Sequence, residues 1–577
     1  MSHLERLKSA TNRKDLARLL GYQPSALTSI IYRTPLAKRY TTFEIPKGSG
    51  GSRIIKAPIP KLKKLQRHLA NLLCACLVEI DKNRDVSPVS YGFRKGETLA
   101  GNAKNHKRRR YVLNLDLKDF FPTFNFGRVR GFFLKDNSFK LAEEVATTIA
   151  QIACDGSALP QGSPCSPIIS ELVARFLDVR LLRFAKKHGV RYSRYADDIV
   201  FSTNQKEFPV ALAVKVSADP SSWILGDDLI AEIEGAGFKI NTDKTRMHCR
   251  GSRQMVTGLV VNEKVNIRRE YYRNARAMCD SLFQTGAYFR SLTPNNTSCE
   301  RPKTELIASL NPLEGILSHI YSVTQSEERR SIQEQRKRPR AIRVLYRRFL
   351  FYKYCIALEA PLIITEGKTD PVYLKEAIRH RSAFHPILGC KGEDGFGFAV
   401  RFFNYGGQAH EIIGLRGGTG DLKSIVLDFQ HNLKSGNGRK LFNHRPMKYP
   451  VILVLDNDEG LKPVASIIKR MFDLSITTDS TESFYHIVAN LYLVKIPENG
   501  VESCIEDLFP SKWKEKSLNG KDFSAKNDFD PETQYGKQVF ANSVIKPDAH
   551  QIDFSGFDPL LKRIAAVICD YRQKLGE

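Results

Sequence analysis

Acidic residues are in short supply. The chain has 577 residues, with 62 Asp and Glu against 89 Lys and Arg and a formal net charge of +27. Solubility is the bland reading of that excess, but over a whole globular chain it points to a polyanionic partner, above all nucleic acid. Paired cysteines are also missing. The 11 Cys are scattered, odd in number and form no CxxC pair. That argues against a zinc site or disulfide framework and for a reducing cytoplasm. No apolar run approaches the ~20 residues of a membrane span, so no membrane partner is expected. Met1 to Tyr22 is a charged helical pattern with no signal-peptide core. There is no internal repeat. The length suits about three to four domains.

What the chain does have is carboxylates at the ends of apolar strands. Arg191 to Ser202 reads as a β-hairpin whose tight turn is Tyr195-Ala196-Asp197-Asp198. Adjacent carboxylates at a turn repel each other, and a cation beside them relieves the repulsion. Upstream, the strand Tyr111-Val112-Leu113-Asn114-Leu115 runs into Asp116, just after the basic run of residues 104–110. Together Asp116, Asp197 and Asp198 would supply three carboxylates for two Mg²⁺ ions about 3.5–4 Å apart, able to activate a 3′-hydroxyl and stabilise leaving pyrophosphate. Residues 40–58 read as a hairpin around Gly48, Gly50 and Gly51 with basic residues beside its tip, suited to phosphate. Residues 59–80 space their leucines as a core-packing helix. Arg268 to Arg276 is a basic helix with aromatics, suited to a duplex backbone or stacked bases. Residues 336–348 are basic without an acid, either a grip on RNA or a solvated connector.

A second acidic constellation follows. Pro361 to Thr365 and Val451 to Leu455 are buried-type strands ending in Glu366-Gly367-Lys368-Thr369-Asp370 and Asp456-Asn457-Asp458, each followed by a helical pattern, and Leu491 to Ile496 is a third strand. Acids at the carboxyl ends of strands in a β-α alternation sit where α/β sheets place their sites. Glu366, Asp456 and Asp458 offer hard oxygens to Mg²⁺ or Mn²⁺, and Asp370 faces the same ion if a helix begins there. Gly417-Gly418-Thr419-Gly420 lacks the Lys-Ser/Thr of a P-loop and reads as a flexible turn.

Asp116 with Phe121, Leu159-Pro160-Gln161-Gly162-Ser163-Pro164, Tyr195-Ala196-Asp197-Asp198, and Gly237-Phe238-Lys239-Ile240-Asn241 with Lys244 resemble, in order and spacing, the motifs of reverse transcriptases. The resemblance implies that the three Asp residues bind the metals and that Phe121 lies under the sugar and favours dNTPs. It places Gln161 and Gly162 against nucleotide and template, Arg53 and Lys56 at the triphosphate, and Lys244 as a proton donor to pyrophosphate. Asn102-Ala103-Lys104-Asn105-His106 and Val256-Thr257-Gly258 are similar to the Asn-Ala-x-x-His and Val-Thr-Gly motifs of retron reverse transcriptases. Covering roughly residues 20–325, this implies a fingers–palm–thumb enzyme that copies its cognate non-coding RNA from a guanosine 2′-hydroxyl into branched RNA–DNA (msDNA). Asn102, His106, Val256, Thr257 and Gly258 would bind that RNA.

The second constellation resembles the TOPRIM domain, and with Cys504 to Phe509 it is similar to TOPRIM nucleases of the OLD type. That implies a two-metal nuclease site completed by Glu506, with Glu502 or Asp507 as further candidates, and Lys537 as a charge-stabilising lysine. The expected architecture is therefore multidomain α+β and α/β: a reverse transcriptase over 1–325, a basic linker over 326–355, and a Rossmann-like TOPRIM domain over 356–577. The implied role is antiphage defence, with reverse-transcribed DNA restraining a nuclease that has its own nucleic-acid target. The alternatives are a mobile-element polymerase with a DNA-nicking domain, or a TOPRIM module that only docks RNA. The oligomeric state is left open, homo-oligomers included.

Overall fold

A computed structural model describes residues 1–46, 51–82, 89–217, 222–291, 304–392, 395–415, 418–433, 440–497, 502–525 and 528–576. Gly48 and Gly50 of the first hairpin and Gly417 of the glycine run lie outside them. The chain forms two compact units. One is built chiefly on Met1–Tyr272; the other takes Arg330–Glu577 together with Arg273–Arg290 and Thr304–Tyr321.

In the first unit β1 (Tyr40–Pro46) and β2 (Ser52–Pro58) form the expected antiparallel hairpin. In α1 (Pro60–Lys82) Leu62, Leu65, Leu69, Leu72, Leu73 and Leu77 are all buried, as their helical spacing requires. The short α2 (Leu99–Lys104) is capped by the Thr98 hydroxyl. It leads to β3 (Tyr111–Lys118), the central strand of the main sheet. Then come α3 (Ser166–Lys187), β4 (Arg191–Tyr195), β5 (Asp198–Thr203), β6 (Lys239–Ile240) and β7 (Arg246–Cys249). The sheet order is β4-β5-β3, with β6 and β7 both on the far edge of β3, all antiparallel. Val112, Leu113, Leu115 and Leu117 of β3 are buried. Ile169, Leu172 and Leu177 of α3 belong to the same core. A small hairpin, β8 (Met255–Val256) and β9 (Leu259–Val260), precedes α4 (Arg269–Thr285).

The chain passes between the compact units more than once around the expected boundary at 325: Arg273–Arg290 and Thr304–Tyr321 belong to the second unit, and Ser322–Arg329 to the first. From Arg273 onward α4 belongs to the second unit, because its Phe283 ring packs against Tyr352 and Phe442 with centroids 5.5 and 4.8 Å away. The expected basic linker is also folded core. In α5 (Ala341–Phe351) Ile342, Arg343, Tyr346, Phe349, Leu350 and Phe351 are buried. Arg343 donates to the Tyr321 hydroxyl, and Arg347 pairs with Asp428. Those two guanidiniums hold the fold together instead of facing RNA.

The rest of the second unit alternates strands and helices: β10 (Leu362–Thr365), α6 (Asp370–His380), β11 (Arg401–Phe402), α7 (Thr419–Leu433), β12 (Val451–Leu455), α8 (Leu461–Phe472), β13 (Tyr485–Val488), β14 (Leu491–Lys495) and, near the end, α9 (Asp558–Leu575). The sheet order is β11-β10-β12-β14-β13; β13 alone is antiparallel. Every residue of β10, β12 and β14 is buried, the pattern of parallel strands covered on both faces. The glycine run is not simply a turn, since Thr419 and Gly420 begin α7 and the Gly418 N–H donates to the Glu366 carbonyl. Among the described residues no helix is long and apolar enough to cross a membrane.

Candidate active sites

The β4–β5 hairpin closes with Tyr195 opposite Asp198, leaving Ala196 and Asp197 as its two-residue turn. Ala196 has φ +55°, a left-handed conformation that an alanine adopts only when its surroundings enforce it. Three contacts do so. Arg194 Nη1 donates to the Ala196 carbonyl at 3.1 Å. The same guanidinium, fully buried, is anchored by Asp178 (Nε to Oδ1, 2.7 Å) and Glu171 (Nη2 to Oε2, 2.9 Å). Gly92 lies against the turn so closely that a Cβ there would stand 2.5 Å from the Ala196 nitrogen. Neither Arg194 nor Gly92 was picked out from sequence; nothing local marks a close approach between distant segments.

The antiparallel register sets Asp116 of β3 directly opposite Asp198 of β5. Like charges facing across a ladder destabilise it. Burial, then Asp197 and Asp116, push Asp198 up to about 7. Burial and Asp116 also raise Asp197, against a backbone hydrogen bond and the positive charges of Lys244 and Arg53. Asp116 takes Lys244 Nζ on Oδ2 at 2.9 Å and Asn241 Nδ2 on Oδ1 at 3.0 Å. Asn241 thus orients the Asp116 carboxylate.

These acids lie in a cleft of about 1500 Å³ that Arg53, Lys56, Phe121, Gln161 and Gly162 also line. Gly162 has φ +120°, and a Cβ there would meet the Lys56 carbonyl at 2.7 Å, so glycine is required where this loop packs on β2. Lys56 is committed otherwise than expected: its ammonium pairs with Asp155, which leaves Arg53 as the candidate for a triphosphate.

Of the expected RNA-binding set, three residues face the protein interior. Asn102 and His106 are fully buried, and Val256 is core. His106 ties the two hairpin strands together, with Nε2 2.7 Å from Ser193 Oγ on β4 and Nδ1 2.7 Å from Ser202 Oγ on β5. Ser193 gives its own proton to Asn102 Oδ1. His106 therefore donates from Nε2 and accepts at Nδ1, a neutral imidazole. Thr257 and Gly258 are the two central residues of the β8–β9 turn, both with positive φ, as a two-residue turn of the primed type demands.

Burial, with Arg109 and Arg191 nearby, pushes His106 down to about 3 from an ordinary 6.5. The unfolded chain takes up that proton first, so stability falls as pH drops below about 6.5, by about 1.4 kcal/mol per pH unit. Opening free energies of the β4 and β5 amides, from hydrogen exchange corrected for the intrinsic rate at each pH, should therefore fall between pH 6.5 and 5. His106→Asn should exchange faster at pH 7 but lose this dependence; an unchanged slope in the variant would assign the effect to another group.

In the second unit, Glu366 follows β10 and Asp456 follows β12, two adjacent parallel strands. Gly367 is required between Glu366 and Asp370. Its N–H donates to Asp370 Oδ2 at 2.7 Å, and a Cβ there would be 2.4 Å from Oδ1. Burial and Glu506 push Asp370 up to about 6; burial, then Asp370, Glu366 and Glu506, push Asp456 up to about 8. Glu506 is buried, with Oε2 taking Lys537 Nζ at 3.1 Å and Oε1 buried without a hydrogen-bond partner. Burial works against Lys537's charge, but Glu506 and Asp456 outweigh it and raise its pKa.

The cluster is thus Glu366, Asp370, Asp456, Glu506 and Lys537. Asp458 accepts from Gly460 N at 2.7 Å on Oδ1. Asp507 is turned to Lys514. The fully buried Lys495 donates to Asn457 Oδ1, between the two strand-end acids, and so braces that loop.

Among the described residues no three His, Cys, Asp or Glu side chains stand gathered as a finished ion site. The donors nevertheless suit a hard divalent cation. In one site crowded carboxylates face each other; in the other a buried carboxylate oxygen has no partner.

The sequence profile of the reverse transcriptase (RNA-dependent DNA polymerase) family matches residues 45–269. Retron Ec86 reverse transcriptase of Escherichia coli is 32% identical over 274 residues, 47% of this chain and 78% of that protein. The chain belongs to the retron reverse transcriptases. Retron Mx65 reverse transcriptase of Myxococcus xanthus is 34% identical over 46% of this chain and 61% of its own length. Retron Mx162 reverse transcriptase of the same organism is 33% identical over 43% and 52%. The chain thus spans about half to three fifths of these two relatives. Among solved structures, apo telomerase of Candida tropicalis aligns over 55% of this chain at 14% identity, with a TM-score of 0.31. That score is too low for an overall likeness, so the palm is read from its strand order and register. The family match ends at residue 269, and the acid cluster of the second unit stands on its own geometry.

Proposed function

We propose that the first unit is an RNA-directed DNA polymerase that copies part of a cognate non-coding RNA with dNTPs. The observation that carries this is Asp116 facing Asp198 across paired strands, with Asp197 in the adjoining turn. Mg²⁺ ions held by these three residues would activate the primer hydroxyl and neutralise charge on the leaving pyrophosphate. The hydroxyl oxygen attacks the α-phosphorus and gives up its proton to solvent, a P–O bond forms, and the bond to pyrophosphate breaks. Arg53 holds the triphosphate, Phe121 stacks under the sugar, and Lys244, already beside Asp116, gives a proton to the departing oxygen. Kinship with retron enzymes supports a 2′-hydroxyl primer and a branched RNA–DNA product. Sequencing the nucleic acid that copurifies with the protein tests this: short DNA joined to one RNA is expected, and new genomic insertions would favour a mobile element instead.

For the second unit we propose a TOPRIM-type, metal-dependent nuclease with Mg²⁺ or Mn²⁺ at Glu366, Asp370, Asp456 and Glu506, restrained by the reverse-transcribed DNA in antiphage defence. Acids at the carboxyl ends of adjacent parallel strands, with the unpartnered Glu506 oxygen, favour it. Asp456→Asn and Glu506→Gln should each lower cleavage of plasmid, tRNA or total RNA by about a hundredfold while primer extension is unchanged. Cleavage that persists in both variants would leave the unit an RNA-docking module.

A further inference from the structure

The second unit holds a cavity of about 430 Å³ between α5 and α7 that shares no lining residue with the polymerase cleft and includes none of the clustered acids. Its volume falls in the range of small-ligand sites, about 300–1000 Å³. We infer that it binds a nucleoside 5′-phosphate, adenine nucleotides best.

One wall is fixed. Arg347 Nε reaches both oxygens of Asp428 at 3.0 and 3.1 Å, which neutralises the buried carboxylate. Two further cations, Arg348 and Lys423, line the cavity with no side-chain hydrogen bond or ion pair among the described residues. Asp421 is the other carboxylate of the lining, and with Arg343 the cavity has four cations against two acids. Paired cations would mean fold stabilisation; unpaired ones around a concave space offer donors to phosphate oxygens.

Asn432 is the second observation. It is 8% exposed, lines the cavity, and its side-chain amide makes no hydrogen bond. Its amide is thus left open toward the cavity, with a donor and an acceptor for a ligand. Its adjacent donor and acceptor match N7 and the N6 amino group of adenine. Val344 and Leu427, also in the lining, give a base ring apolar surface. The same chemistry is presented by a free nucleotide and by the 5′-phosphorylated end of a strand.

Calorimetric titration of the full-length protein, freed of nucleic acid and kept in EDTA to silence ion-dependent dNTP binding, tests the assignment. The probes are 5′-AMP, 5′-CMP, inorganic phosphate and a 5′-phosphorylated adenine-led hexanucleotide. One saturable site for AMP is expected, with weaker CMP and phosphate. Arg348→Glu with Lys423→Glu should weaken it at least tenfold at an unchanged thermal midpoint. Asn432→Ala should remove the preference for AMP over CMP. Tighter binding of AMP than hexanucleotide assigns a free nucleotide, and the reverse assigns a strand end. No saturable binding of any probe, or full affinity in the double variant, would overturn the proposal.

Discussion

Asp198→Asn is expected to lower primer extension about a hundredfold to a thousandfold and, in EDTA, to raise the thermal midpoint. The two effects share a cause. Asp198 and Asp116 face each other across the ladder, and Asp197 adds a third charge in the turn. Without a cation that arrangement costs stability, which is why burial and its neighbours hold Asp198 near 7. Asparagine keeps the shape and removes one charge. A gain of about 2–4 °C is the scale for ~1 kcal/mol in a domain of this size. The isosteric Asp116→Asn would also weaken the hold on Lys244, so its stability gain should be smaller. Calorimetry with and without Mg²⁺ reads the stability arm and gel-based extension the activity arm. If Asp198→Asn destabilises the ion-free protein, the carboxylate is a structural partner and the repulsion argument is wrong.

Gly92→Ala is expected to cost about a hundredfold in extension, although Gly92 touches no substrate. Its added Cβ would stand 2.5 Å from the Ala196 backbone nitrogen. Neither side can yield cheaply. The turn is held from within by Arg194 on the Ala196 carbonyl, and the strand leading to Gly92 is tied to β4 by the Tyr91 N–H on the Arg194 carbonyl. The turn must therefore shift and carry Asp197 and Asp198 off register with Asp116. Overpacking of this kind costs about 1–3 kcal/mol, so the protein should still fold. Full activity at wild-type stability would show that the segment moves instead of the turn.

The chemistry-bearing residues were legible in the sequence because strand ends announce themselves. An apolar run stopping at an acid marks a carboxylate near a strand end: Glu366 and Asp456 directly follow their strands, whereas β3 runs two residues past Asp116, which lies inside the sheet. The hairpin at Asp197 and Asp198 and the helix of Leu62 to Leu77 follow from equally local patterns. Tertiary structure alone decided which acids share a site. Asp370 and Glu506 stand close enough to Asp456 to raise its pKa. It also turned Asn102 and His106 from expected RNA contacts into a buried brace, committed Lys56 to Asp155, and made a core helix of the expected basic linker. Burial and close approach depend on segments far apart in the chain. Gly92 against Ala196 and Glu506 against Lys537 come together only when long-range packing closes, and nearest neighbours along the sequence do not encode it.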